Sequence, residues 1–230
     1  MKQLILTIAM ITAVAASAQV KTLKPADTWK WPSVSFEKYQ QLEALYEQDK
    51  LTKADEALFE DCGIFDDLYS GKCSWSCGGE VLNVTASSKL HNIKGFTYNP
   101  INAHDFDHET AWAEGVDGHG IGEYLEYEFA GGCPRVTTVK ILNGYAKNAK
   151  VWKNNSRVKK LRMYYNNQPV ADLLLNDTRD LQIFEVGTLG PHDPAAPNWT
   201  LRFEILEVYP GAVHDDTVIS ELYFDGIDVH

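Results

Sequence analysis

From Val81 onward the chain is a succession of short runs in which every second residue is apolar, each run closed by Gly, Asn, Asp or Pro. Leu125, Tyr127 and Phe129 alternate in the first clear run. Val139 and Ile141 follow, then Leu161, Met163 and Tyr165, then Leu173, Leu175 and Ile183. Trp199, Leu201, Phe203 and Ile205 form the strongest run, and Val218, Leu222 and Phe224 the last. Successive side chains of a strand point to opposite faces, so this alternation lays one apolar face on a core and one polar face on water. Many such strands with frequent turns make an antiparallel sandwich or barrel. No run has the length and period of a crossover helix, which argues against an α/β fold. The fold class expected is mainly β, with a β-sandwich over residues 81–230.

The preceding residues have a different texture. Phe36, Tyr39, Leu42 and Tyr46 recur at three- and four-residue steps, which predicts a helix over 36–50. Thr52 followed by Asp55 reads as a second helix start, with Ala54, Leu58 and Phe59 as its apolar face. Residues 19–60 are therefore expected to hold a small helical hairpin, joined to the sandwich by a glycine- and cysteine-rich loop over 61–80. At the extreme N-terminus, Lys2, the apolar run Leu4–Val14 and the small residues Ala16-Ser17-Ala18 have the layout of a signal peptide cleaved after Ala18. The apolar run is shorter than the about 20 residues needed to span a bilayer. The expected protein is secreted or periplasmic and is not an integral membrane protein.

The net charge of −11 argues against nucleic acid and anionic membranes, both of which select basic surfaces, and is compatible with neutral ligands and with cations. Export favours disulfides among Cys62, Cys73, Cys77 and Cys133, and four cysteines allow three pairings. Their spacing is not that of a zinc ribbon.

The densest chemical constellation is Asn102-Ala103-His104-Asp105-Phe106-Asp107-His108-Glu109-Thr110-Ala111-Trp112. Two aspartates at i and i+2 with a following threonine can wrap a hard cation in carboxylate, hydroxyl and backbone oxygens, the ligand set of calcium. An acidic turn capped by its own side chains is the alternative. A second acidic cluster, Asp215-Asp216-Thr217 with Ser220 and Glu221, leads into the last strand, from which Glu221 can complete a cation site if the strands adjoin. A third cluster places Tyr145, Lys147, Trp152, Asn155 and Arg157 after Asn143-Gly144, a mixture of aromatic faces and hydrogen-bonding groups suited to a sugar, with a packed Trp152 beside an ordinary polar turn as the alternative. Trp112 reads as core. There is no G-x-S-x-G, H-E-x-x-H or P-loop, and carboxylate pairs such as Glu114 with Asp117 are too common in an acidic chain to argue catalysis. No enzyme is expected.

These residues carry a family likeness. Asn102–Trp112 resembles the N-A-x-D-x-D-x-x-T-x-W loop of discoidin-like, galactose-binding-like jelly-roll sandwiches. T-A-W-A-E-G-V-D-G-H-G-I-G-E-Y-L at 110–125, N-G-Y at 143–145, W-K-N-N-S-R-V-K-K-L at 152–161 and E-V-Y-P-G-A-V-H-D-D-T-V-I-S-E-L at 207–222 resemble one subgroup, the NADase-type glycan-binding domain. The resemblance covers about Val81 to Gly226. It implies a glycan or glycoconjugate as partner; Glu114 and Asp117 stand with the third cluster as candidate ligand-binding residues. It also implies a structural calcium held by Asp105, Asp107, Thr110 and Glu221, with backbone oxygens such as that of Asn102. Phe106 stands where the family has glycine, and His104 where it has an aromatic residue. Discoidin-like loops also bind proteins, so an interaction or adhesion module is the alternative function, and a small hydrolase a more distant one.

Overall fold

A computed structural model describes residues 20–69, 75, 79 and 81–228; the expected signal segment, Cys73 and Cys77 lie outside these residues. Two short strands come first, β1 (Lys21–Leu23) and β2 (Asp27–Trp29), then three helices, α1 (Phe36–Tyr46), α2 (Lys53–Glu60) and α3 (Gly63–Tyr69). The sandwich follows as β3 (Val81–Ala86), β4 (Trp112–Ala113), β5 (Tyr124–Phe129), β6 (Val136–Asn143), the short helix α4 (Ala149–Asn154), β7 (Ser156–Tyr165), β8 (Gln168–Leu174), β9 (Leu181–Leu189), β10 (Trp199–Tyr209) and β11 (Thr217–Gly226). The alternating runs of the sequence fall on these strands, that of Leu173, Leu175 and Ile183 being divided between β8 and β9 with Leu175 just past the end of β8.

Hydrogen bonds run through the order β2-β9-β6-β11-β7-β10-β5-β3, with β8 and β1 branching from β7. The path folds over on itself. Phe224 of β11 lies 5.0 Å from Tyr127 and 5.1 Å from Phe129, both on β5, although two strands separate β11 from β5 in the hydrogen-bonded order. Such contact requires β9-β6-β11 to face β8-β7-β10-β5, and the buried residues of both halves form one core. The expectation of antiparallel pairing needs amendment at two joints. β11 pairs parallel with β7 over Thr217 and Val218, where the layers meet at a corner, and β1 pairs parallel with β8. The register of β11 also differs at its start. Ile219 joins Leu222 and Phe224 in the main core, whereas Val218 packs with Ala111, Ala113 and Tyr145, because this end of the strand pairs with β4 and is covered on both sides.

The outer face of β9-β6-β11 is apolar too, and the N-terminal segment covers it. Ile64 and Leu68 of α3 pack on Leu142, Leu181 and Tyr223, with Trp29 and Trp31 at the edge. The helical hairpin is thus a three-helix unit. Residues 63–69 form a helix where a loop was expected, because Ile64, Phe65 and Leu68 recur at helical steps between the glycines and cysteines that read as loop punctuation. The Thr52 start is as expected: Thr52 Oγ1 accepts from Asp55 N (3.2 Å) and Asp55 Oδ2 accepts from Thr52 N (3.3 Å), a capping box. Since β1 and β2 also join the sheet, the N-terminal segment shares the sandwich's hydrogen bonds as well as its apolar face.

One buried ion pair pins the helical unit in register. The Lys140 ammonium on β6, whose side chain is 8% exposed, donates to both oxygens of Asp67 on α3 (2.9 and 3.0 Å), and the Tyr223 hydroxyl donates to Asp67 Oδ2 at 2.5 Å. Cys62 departs from the disulfide expectation: it is a buried thiol donating to Leu58 O (3.1 Å). Burial, reinforced by Asp61 and Asp66, pushes its pKa up to about 11, which leaves it unreactive.

Removing one partner of a buried pair strands the other charge. Asp67→Ala is therefore expected to destabilise the fold by about 3 kcal/mol, the lower end for such a loss, since Asp225 stays within 3.6 Å of Lys140. Asp67→Asn should fall between this variant and the unaltered chain. Urea midpoints measure both, and unchanged midpoints would contradict the pinning role.

Candidate metal centre and ligand face

The loop after the 3-10 turn Pro100–Ala103 is tied down at its far end by β4, which pairs with β11 through Val218↔Ala113 and Ile219↔Trp112. This pairing brings Asp105–Thr110 over the outer face of β11, next to Glu221. Trp112 is fully buried and donates from Nε1 to Ser88 O (3.0 Å), a core residue as expected. Phe106 sits at φ +60°, the left-handed region that glycine enters without steric cost. The ring stands 5.3 Å from Tyr223 and 5.4 Å from His104, so packing offsets the about 1–2 kcal/mol that this backbone costs a residue with a Cβ.

The loop gathers oxygens. Thr110 Oγ1 lies 2.9 and 2.7 Å from the two Asp105 carboxylate oxygens, 3.2 Å from Asp107 O and 3.4 Å from Asn102 O. A hydroxyl has one proton to donate, so most of these contacts set lone pair against lone pair. Beneath them Glu221 is fully buried, and among the described residues neither of its carboxylate oxygens has a hydrogen-bond partner. The backbone N–H groups of Phe106 and Asp107 and the Asp105 carboxyl face it without reaching hydrogen-bond geometry. Burial first, and the Asp105 charge second, push the Glu221 pKa well above the usual carboxylate range. Burial likewise raises Asp105. The Asp107 carboxylate turns away and accepts from Tyr69 OH (3.1 Å) and Glu109 N (2.9 Å), so the residue offers the cluster its carbonyl rather than its side chain. Among the described residues no three His, Cys, Asp or Glu side chains converge on one point. The donor set is instead two carboxylates, one hydroxyl and two carbonyls, all oxygen, and the orphaned Glu221 oxygens fit a hard cation. His104 and His108 are not part of it. His104 Nδ1 lies 3.1 Å from Leu222 O, and buried His108 is 2.5 Å from Tyr69 OH through Nδ1.

The same loop supports a groove. The Tyr145 hydroxyl donates to Glu109 O (3.1 Å), and the ring packs edge-on to Tyr98. Phe96, Tyr98, Tyr145, Lys147, Asn155 and His214 line a concavity of about 280 Å³. The Lys147 ammonium stands 5.3 Å from the centroid of the Phe96 ring and 3.5 Å from Glu109 Oε2.

A family model, that of the NAD glycohydrolase translocation F5/8 type C domain, matches residues 75–225. The chain belongs to this family. It is also similar to solved carbohydrate-binding modules. One is CpGH89CBM32-5 from Clostridium perfringens, in complex with GalNAc-β-1,3-galactose (17% identity, 63% of this chain and 94% of that chain, TM-score 0.44). Another is CBM32-3 from a family 31 glycoside hydrolase of the same organism (16%, 66% and 93%, TM-score 0.46). A third is the family 32 module of EndoD from Streptococcus pneumoniae (12%, 65% and 97%, TM-score 0.40). No curated protein matches the chain.

Within the F5/8 type C region, 75–225, the structure gathers the sequence candidates selectively. Asp105, Thr110, Glu221 and the carbonyls of Asn102 and Asp107 come together, and Tyr145, Lys147 and Asn155 share the groove. Trp152 and Arg157 do not. Trp152 Nε1 donates to Asn143 O (2.8 Å) under the Arg157 guanidinium, which is itself buried and bonded through two nitrogens to Asp177 (2.9 Å each). Glu114 is also internal: it accepts from Thr217 N (3.0 Å) and Val116 N (2.9 Å) and braces the loop that carries exposed Asp117 away from the groove. Sequence reasoning missed Phe96, Tyr98 and His214. The F-T-Y alternation at 96–98, in a loop bounded by Gly95 and Asn99-Pro100, was the available signal for the first two.

A buried carboxyl whose folded pKa exceeds its unfolded value stabilises the fold below the unfolded pKa, and this is lost as pH rises through the folded pKa. In EDTA the chain should therefore lose stability as pH rises above the ordinary glutamate value of about 4.3, because burial holds the folded pKa well above it. Glu221→Gln should flatten that slope. Urea midpoints against pH check it, and parallel curves would show that Glu221 does not titrate in this window.

Proposed function

We propose that the protein is an exported carbohydrate-binding module in which a calcium ion beneath Asp105–Thr110 fixes the ligand face. The observation that carries the glycan reading is the groove. It sets the rings of Phe96, Tyr98 and Tyr145 beside the polar groups of Lys147, Asn155 and His214 in one concavity. Aromatic rings cover the apolar face of a sugar ring, while amide, ammonium and imidazole groups bond its hydroxyls. The groove rests on the cation loop through the bond from Tyr145 to Glu109, so fixing the loop fixes the groove. Asp105, Glu221, Thr110 and the carbonyls of Asn102 and Asp107 would hold the ion. When bound, calcium supplies positive charge that neutralises the two carboxylates and takes up the orphaned oxygens. Export rests on Lys2, the apolar run Leu4–Val14 and Ala16-Ser17-Ala18.

Calcium at about 100 times its Kd should add about 2.7 kcal/mol to the stability of the mature chain, by mass action on the folded state. Asp105→Ala should remove that gain; a melting temperature indifferent to calcium and EDTA would overturn the calcium reading. A glycan array probed with the calcium-loaded chain should give a defined set of hits. Phe96→Ala, at a ring 51% exposed and so of small cost to the fold, should weaken those hits about tenfold. An array with no hits would overturn the glycan reading.

A further inference from the structure

Lys147 and Asn148 border a second cleft, of about 440 Å³, on the side of the groove nearest the helical unit. One wall is Trp31 and Phe36 from the N-terminal segment, which precedes the F5/8 type C region; the other is His108, Lys147, Asn148 and Arg179 from the sandwich. Arg179, between β8 and β9, is the unusual member. Its guanidinium lies 4.0 Å from the centroid of the Trp31 ring, and Nη2 donates to Ala146 O (2.7 Å). Nε is buried without an acceptor, and among the described residues no carboxylate stands within ion-pair distance. By contrast, Arg135, Arg157 and Arg162 each hold an aspartate, at 2.6, 2.9 and 2.8 Å. Among the described residues Arg202 also lacks a carboxylate and its Nε is likewise buried without an acceptor, but two rings, Tyr124 and Tyr164, flank its guanidinium, whereas Arg179 meets one ring and lines the cleft.

The other charges in the cleft do not serve Arg179. Glu109 lies against Lys147 (3.5 Å), and Glu37 is exposed in the first turn of α1, where the helix N-terminus favours it. A planar guanidinium stacked on an aromatic ring, partly desolvated and open to a cleft, is matched by a ligand carboxylate, which it can bond through two nitrogens.

We propose that this cleft is a subsite for a carboxylated sugar, a uronate or sialic-acid type residue, with Arg179 receiving the carboxylate and Trp31 and Phe36 supplying the apolar wall. The inference rests on the glycan reading, because a saccharide seated in the groove reaches the cleft past Lys147 and Asn148. It gives the N-terminal helical unit a direct part in binding.

The test is calorimetry on the calcium-loaded mature chain with matched ligands: cellobiouronic acid against cellobiose, and sialyllactose against lactose. A carboxylated ligand should bind about tenfold more tightly than its neutral counterpart, an advantage that shrinks with salt. Arg179→Gln should abolish the advantage and leave neutral binding unchanged, which also shows that the variant is folded. Arg179→Lys should restore part of it. Equal affinity within each pair, or a preference that survives Arg179→Gln, overturns this inference while neutral binding upholds the glycan reading. Absence of all sugar binding removes both. An oligoglutamate peptide that binds through Arg179, where no carboxylated sugar does, overturns the sugar assignment.

Discussion

The arrangement of this molecule turns on one strand that is covered on both faces. Thr217–Gly226 sends Leu222 and Phe224 into the sandwich core and Glu221 and Tyr223 out of the opposite face. An outward face would ordinarily meet water. Here it meets Phe106 and the helical unit, so Glu221 is taken out of solvent and, among the described residues, no donor reaches hydrogen-bond geometry with it. Burying a carboxylate unpaired is among the most unfavourable things a fold can do, and it persists where something neutralises the charge, a proton or a cation. The oxygen-rich loop lies above this carboxylate, and the groove is joined to that loop through the bond from Tyr145 to Glu109.

Much of the fold was legible because the strands carry their instructions locally. Period-two alternation marks Leu125, Tyr127 and Phe129, or Trp199 to Ile205, as half-buried strands whatever their partners are. Pairing is less local. The parallel junction of β7 with β11 depends on a corner that no single segment encodes. α3 was hidden because Gly63 and its cysteine neighbours read as loop, while Ile64, Phe65 and Leu68 had a face to fill on the sheet.

The candidate site shows the same division. Asp105, Thr110 and Glu221 were singled out because oxygen-bearing side chains at such spacings suit a hard cation, and pairing of β4 with β11 closes the distance between 110 and 221. Trp152 and Arg157 looked like ligand groups because composition alone cannot tell an aromatic ring and a guanidinium facing solvent from the same pair stacked on each other and tied to Asp177. Arg179 and Trp31, about 150 residues apart, meet only through docking of the helical unit, and nothing local in either segment announces it.

We propose that the buried Glu221 carboxylate and the Asp105 loop hold one hard cation. The most direct measurement is anomalous diffraction from crystals grown with calcium, recorded at a wavelength where calcium scatters anomalously. A single strong peak bonded to oxygens of Asp105, Thr110 and Glu221 and to the carbonyls of Asn102 and Asp107 is the predicted result. Crystals with calcium in solution, an ordered loop and no peak between Asp105 and Glu221 would contradict it, and would leave a protonated Glu221 as the neutral group beneath the loop.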